Sequence, residues 1–287
     1  MPLTKNNINV EASKSHPLDF DQLYDSWGAC NLTAADAKSA GYLTIGAANP
    51  EAIDKAMKTA QKLTDLRLYQ LSGSGQVQHY QGNPNKHPAK NGVLLRFTKD
   101  GNLNIGSEHI SFVIDVKSAK PQLLGMVRML TECDNAKFVS PNTALKATFN
   151  FLKTHAPDLI TVDTCPTLND DIANVPGQSV TIITHSNEGT KLPELSLGNV
   201  VVRWIAPHSE KMLVDGKEVT TDGMKVKMQF TKEENNHLFA WAIIDKNGEV
   251  QVYERNIAWQ PEKHRRLTQM PLHDRWLKKH GILFATD

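Results

Sequence analysis

Cysteine is scarce in this 287-residue chain: there are three, Cys30, Cys133 and Cys165, and they lie far apart. So sparse and odd a count argues against a disulfide framework and favours a reducing compartment. No C-x-x-C pair and no H-E-x-x-H occurs, so neither a zinc ribbon nor a zincin helix is encoded locally. The phosphate-cradling glycine patterns G-x-G-x-x-G and G-x-x-x-x-G-K-[ST] are missing too, and no cofactor is expected. Aromatic residues make up only 7% of the chain. No apolar run approaches the roughly 18 residues that cross a bilayer as a helix. Residues 1–16 have no apolar core of the kind a secretory signal needs. The expectations are a soluble, cytoplasmic protein with no membrane insertion, and residues 1–17 as a flexible leader of the sort a non-classical export machine also uses. An excess of one charge is also absent: 32 Lys+Arg stand against 31 Asp+Glu, a net charge of +1. No global field pulls the chain toward nucleic acid or a membrane surface.

What is present is a globular composition, 40% hydrophobic and 22% charged, too apolar and too balanced for a disordered chain. The first third reads as helical. Residues 18–27 place Leu18, Phe20, Leu23, Tyr24 and Trp27 at helix-compatible spacings, and Thr33 caps a short helix over 34–40. The clearest helix spans 50–71, with Asn49 as N-cap, Pro50 in the first turn and a stripe through Ile53, Ala56, Met57, Ala60 and Leu63. Ser72-Gly73-Ser74-Gly75 reads as its stop and a flexible turn. Strands are expected at 92–98, 102–105 and 110–116, followed by helices over 121–133 and 142–155. Strands then dominate, at 179–184, 199–205, 224–230, 238–244 and 249–254, with Lys246-Asn247-Gly248 as a hairpin turn. A last helix covers 272–279. The expected fold class is α+β: an N-terminal helical portion followed by a mostly antiparallel sheet with flanking helices. Residues 18–287 then form a single domain, with 83–91 as a candidate internal boundary.

Candidate chemistry starts from Cys30. Trp27-Gly28-Ala29-Cys30 precedes a helical segment whose dipole favours a thiolate, and His237 opens the strand that leads into the hairpin. Glu254 or Asn256, on the returning strand, falls near His237 and would orient its ring. This Cys-first, His-later layout resembles the papain-like arrangement, which implies a cysteine-dependent hydrolase or acyl-transfer enzyme of protease, amidase or deamidase type. A second constellation is Cys165 with His185 and Asp163, at the ends of predicted strands. Cys133 sits between Glu132 and Asp134, whose charges disfavour its thiolate.

Two other classes compete with the enzyme. One is an interaction module that offers a sheet edge or loop to a protein or peptide. The other is a nucleic-acid-binding protein that uses the basic C-terminal stretch, with Arg265, Arg266, Lys278 and Lys279 as its partner-binding residues.

Overall fold

In the computed structural model the described residues are 10–11, 49–79, 90–101, 108–117, 119–130, 138–168, 171–182, 195–214, 217–232, 238–260, 265–266 and 270–279. The expected helices at 18–27 and 34–40 lie outside this set. The chain divides into two compact units that interleave along the sequence: Met1–Leu18, Asn135–Ser209 and Asp222–Val250 form the first, and Asp19–Asp134, Glu210–Thr221 and Gln251–Asp287 the second.

The first unit contains strands β1 (Val10–Glu11), β6 (Val180–Ile182) and β9 (Leu238–Ile244), with residues 200–209 of β7 (Val200–Val214) and 222–230 of β8 (Lys217–Phe230), in the spatial order β1-β6-β7-β8-β9. One helix, α2 (Pro141–His155), packs on β9. Its start is written locally: the Ser140 hydroxyl accepts from the Thr143 N–H at 3.2 Å, and Pro141 occupies the first turn. Lys153 and His155 in its last turn suit the negative end of the helix dipole. Asn142 ties the following segment down, donating to the Leu168 carbonyl and accepting from its N–H. The turn after β9 closes where the sequence predicts it. Asp245 N–H donates to the Glu249 carbonyl at 2.9 Å, and Gly248 takes the left-handed φ of +81°.

The second unit contains α1 (Pro50–Leu63), β2 (Gln70–His79), β3 (Lys90–Thr98), β4 (His109–Asp115), β5 (Gln122–Met129), β10 (Val250–Gln260) from Gln251 on, β11 (Arg265–Arg266) and α3 (Asp274–Lys279). The spatial order is β10-β5-β4-β3-β2, with β11 against β10, and the recorded pairings are antiparallel. Register assigns the two faces, because directly opposed residues point the same way. Leu95 faces Phe112 and Phe97 faces Ile110, which makes one face apolar; the Phe97 and Phe112 rings meet edge-on at 5.9 Å. On the other face Arg96 lies opposite Ser111 and Thr98 opposite His109, and all four are fully buried. Helix α1 packs against β3 and β4 and buries Ala56 and Ala60, one turn apart.

These elements correct the expected fold class. The described protein is dominated by antiparallel sheet, with three α-helices, and it is not an α+β arrangement built on a helical first third. Two misread segments account for much of the difference. Residues 121–133, expected as a helix, contain strand β5. Leu123, Leu124, Gly125, Met126 and Val127 are buried in succession, and a strand covered on both faces loses the alternation that separates it from a helix. The helix expected to reach residue 71 stops at Leu63, and Ser72-Gly73-Ser74-Gly75 lies inside β2 rather than in a turn. Pairing with β3 along its whole length outweighs the poor strand propensity of serine and glycine. No described helix is long and apolar enough to cross a membrane.

Candidate functional site

The polar face of the second unit is held by residues remote in sequence. The Arg96 guanidinium forms a two-point ion pair with Asp274, at the start of α3; one contact is Nη1 to Oδ2 at 3.3 Å and the other joins Nη2 to Oδ1. His109 Nε2 lies 3.2 Å from Arg96 Nη2. A guanidinium only donates, so this ring nitrogen accepts and the ring proton sits on Nδ1, which faces Asp274 Oδ2 at 3.8 Å. Next in the chain, His273 Nε2 lies 3.2 Å from Glu254 Oε2, with both side chains buried. Gly125 is part of this seat: a Cβ there would stand 2.6 Å from Leu272 Cδ1. Met129, Lys211, Met212, His273, Asp274 and Arg275 line a recess at the surface of this cluster, too tight for a water molecule. The arrangement clamps residues 270–279 onto the sheet through charge.

At the far edge of the same unit stands β2. It pairs with β3 from Gln70 opposite Thr98 to His79 opposite Lys90, and no described strand pairs with its other side. A bulge between Leu71 and Gly73 twists its start, where the Ser72 hydroxyl donates to the Arg96 carbonyl at 3.2 Å. The ten residues QLSGSGQVQH contain no Lys, Arg, Asp, Glu or Pro. Those are the residues with which edge strands are ordinarily guarded against a further strand. The entry to β2 is stiffened by Asp65. Its carboxylate accepts from the Arg67 N–H at 3.0 Å and from the Arg67 side chain, which together hold the Asp65 pKa at about 2. This turn carries Leu68 77% exposed and leads to Leu71, 38% exposed.

The residues singled out from the sequence are distributed as follows. Cys30, His237 and His185 lie outside the described residues, as does Cys133. Glu254 is described, and the imidazole it faces is that of His273. Asn256 is buried in β10 with a left-handed φ of +59°, a conformation asparagine tolerates better than most residues. Cys165 is half-buried and its thiol lies 3.4 Å from the Pro166 carbonyl; burial pushes its pKa up, away from the thiolate a nucleophile requires. Asp163 is exposed, and its backbone carbonyl accepts from Lys153. Arg265 and Arg266 form β11, and Lys278 and Lys279 end α3; their side chains lie outside the described set.

Sequence reasoning missed the Arg96, His109 and Asp274 cluster because nothing local joins residues 178 positions apart. It missed the edge of β2 because glycine and serine were read for their turn preference. The available signal was the uncharged stretch from Gln70 to His79, too long for a turn. Comparison of the chain with protein-family models, curated proteins and solved structures finds no match.

Proposed function

We propose that this protein is a peptide-binding interaction module, which takes up an extended segment of a partner protein as an additional antiparallel strand along β2. The observation that carries the reading is the edge of β2, which has no Lys, Arg, Asp, Glu or Pro and no partner on that side among the described strands, with Leu68 and Leu71 exposed at its head. In strand addition, main-chain hydrogen bonds supply affinity and alternate side chains supply choice. Beyond the bulge, residues 73–79 offer about 24 Å of straight edge at ~3.4 Å per residue. The matching ligand is an uncharged, β-prone segment whose terminal apolar side chain covers the two leucines.

The test uses an array of ten-residue peptides with alternating apolar residues. Peptides retained by the full chain are expected to slow amide hydrogen exchange across residues 73–79, and Leu68→Asp with Leu71→Asp is expected to weaken their capture at least roughly tenfold, the loss of one apolar anchor. Retained peptides that leave those amides unchanged, or an array with no retained peptide, would overturn the proposal.

A further inference from the structure

Past its bulge, β2 runs in unbroken register from Gly73 opposite Arg96 to His79 opposite Lys90. A two-fold axis relating neighbouring antiparallel strands passes beside one residue, which then stands opposite its own copy. An axis between residues would set opposed side chains on different faces of the sheet. For the whole of 73–79 to pair, the self-opposed residue is the middle one, Gln76. The other pairs follow from it: Val77 stands opposite Gly75 of the copy, Gln78 opposite Ser74 and His79 opposite Gly73.

In this register each small residue that opens the segment meets a larger residue that closes it. Opposed positions on a ladder lie about 4.5–5.5 Å apart, so large against small fits where large against large crowds and small against small leaves a gap. Charge supplies a second argument. Under two-fold symmetry a charged residue at the centre confronts its own like charge, and the segment contains no Lys, Arg, Asp or Glu. A strand of unrelated sequence needs neither property, and a copy of β2 benefits from both.

We infer, on the reading of β2 as an acceptor edge, that two copies of this chain pair antiparallel through residues 73–79 about a two-fold at Gln76, and that this self-pairing closes the edge to peptides. The strands β10-β5-β4-β3-β2 of one copy then run on into those of the other. So short a ladder makes a weak, reversible association. The free edge dominates in dilute protein, and peptide capture falls as the protein is concentrated.

The experiment is sedimentation equilibrium of the full chain over about 1–500 μM, a span suited to weak association. The average mass is expected to climb toward twice that of one chain. Gln76→Lys and Gln76→Glu, each by itself, place like charges across the axis and are expected to weaken association at least roughly tenfold. An equal mixture of the two variants sets opposite charges across it and is expected to associate at least as tightly as the unaltered chain. Recovery on mixing also shows that both variants fold. The inference is overturned if the unaltered chain keeps the mass of a single copy, if the separate variants associate as it does, or if the mixture associates no better than either variant. Peptides captured by an unaltered chain that never gains mass would remove this inference and leave the acceptor reading standing. Gain in mass with no peptide captured at any concentration would do the reverse.

Discussion

The two units bury positive charge in different ways. In the second unit, Arg96 is enclosed with a carboxylate, Asp274, and an imidazole that accepts from it. In the first, Lys225 and Lys227 lie on the faces of Trp241 and Phe239. A guanidinium keeps its proton at any pH a protein survives, so its burial calls for a formal counter-charge and two-point geometry. An ammonium on an aromatic ring is held more weakly and has a second option, which is to shed its proton. The first arrangement makes a clamp and the second makes a titratable amine. The same physical problem therefore yields an ion-paired clamp in one unit and an amine with a lowered pKa in the other.

Removing the counter-charge breaks this comparison most severely. Asp274→Ala leaves the Arg96 guanidinium without its carboxylate in a fully buried site, and the expected loss is about 3–5 kcal/mol in denaturant unfolding. Replacing both partners with apolar residues of similar volume is expected to recover much of that loss. If the single and double variants are equally unstable, the ion pair is not what holds residues 270–279.

The lysines respond in the opposite direction. Lys227 has a folded pKa of about 7 against 10.5 when free, so between those values the unfolded chain binds more protons. The destabilisation is complete below about pH 7, fades as pH rises toward 10.5 and is absent above it. Lys227→Met is accordingly expected to stabilise the protein by about 1–4 kcal/mol at pH 6 and by progressively less up to pH 10.5. Unfolding followed across that range reads the effect directly. A gain that does not vary with pH would place the benefit in packing and not in charge.

Glycine substitutions sharpen the contrast between the units at a smaller scale. A Cβ on Gly223 would meet Ile243 Cγ2 at 2.6 Å and the Ile244 carbonyl oxygen at 2.7 Å, and the backbone atom has little freedom to yield. Gly223→Ala is expected to cost about 1–3 kcal/mol. Gly125→Ala meets first the end of a leucine side chain and should cost less, with the strain passed to Leu272 and the clamp beside it. Thermal melts of the pair test the order. The smallest effect on stability belongs to Leu68→Asp and Leu71→Asp, expected to stay within about 0.5 kcal/mol because both side chains are exposed. A larger loss would mean that these leucines serve the fold and not a ligand.

Much of the local structure is legible in the chain. Asn49-Pro50 and Ser140-Pro141 start α1 and α2 where capping chemistry requires, and Asn247-Gly248 turns the chain after β9. Strands β3, β4 and β9 are recognisable as apolar, strand-length runs. Illegible were the strands whose identity depends on what covers them. β5 is buried on both sides and loses its period, and β2 is a glycine- and serine-rich segment that only its neighbour makes a strand. The candidate sites were still less visible. Glu254 is expected from the sequence to orient His237, and the imidazole it meets is that of His273; Lys225 and Lys227 carry the alternation of a solvated face and are buried.

By itself, the sequence determines the helix caps, the turn glycines and the absence of local zinc- and phosphate-binding motifs, because each of these depends on residues within a few positions of one another. Tertiary structure alone decides which apolar runs pair as strands and which charges lose their water. Those outcomes depend on side chains such as Arg96 and Asp274 meeting across 178 positions, and no short-range preference encodes such a meeting.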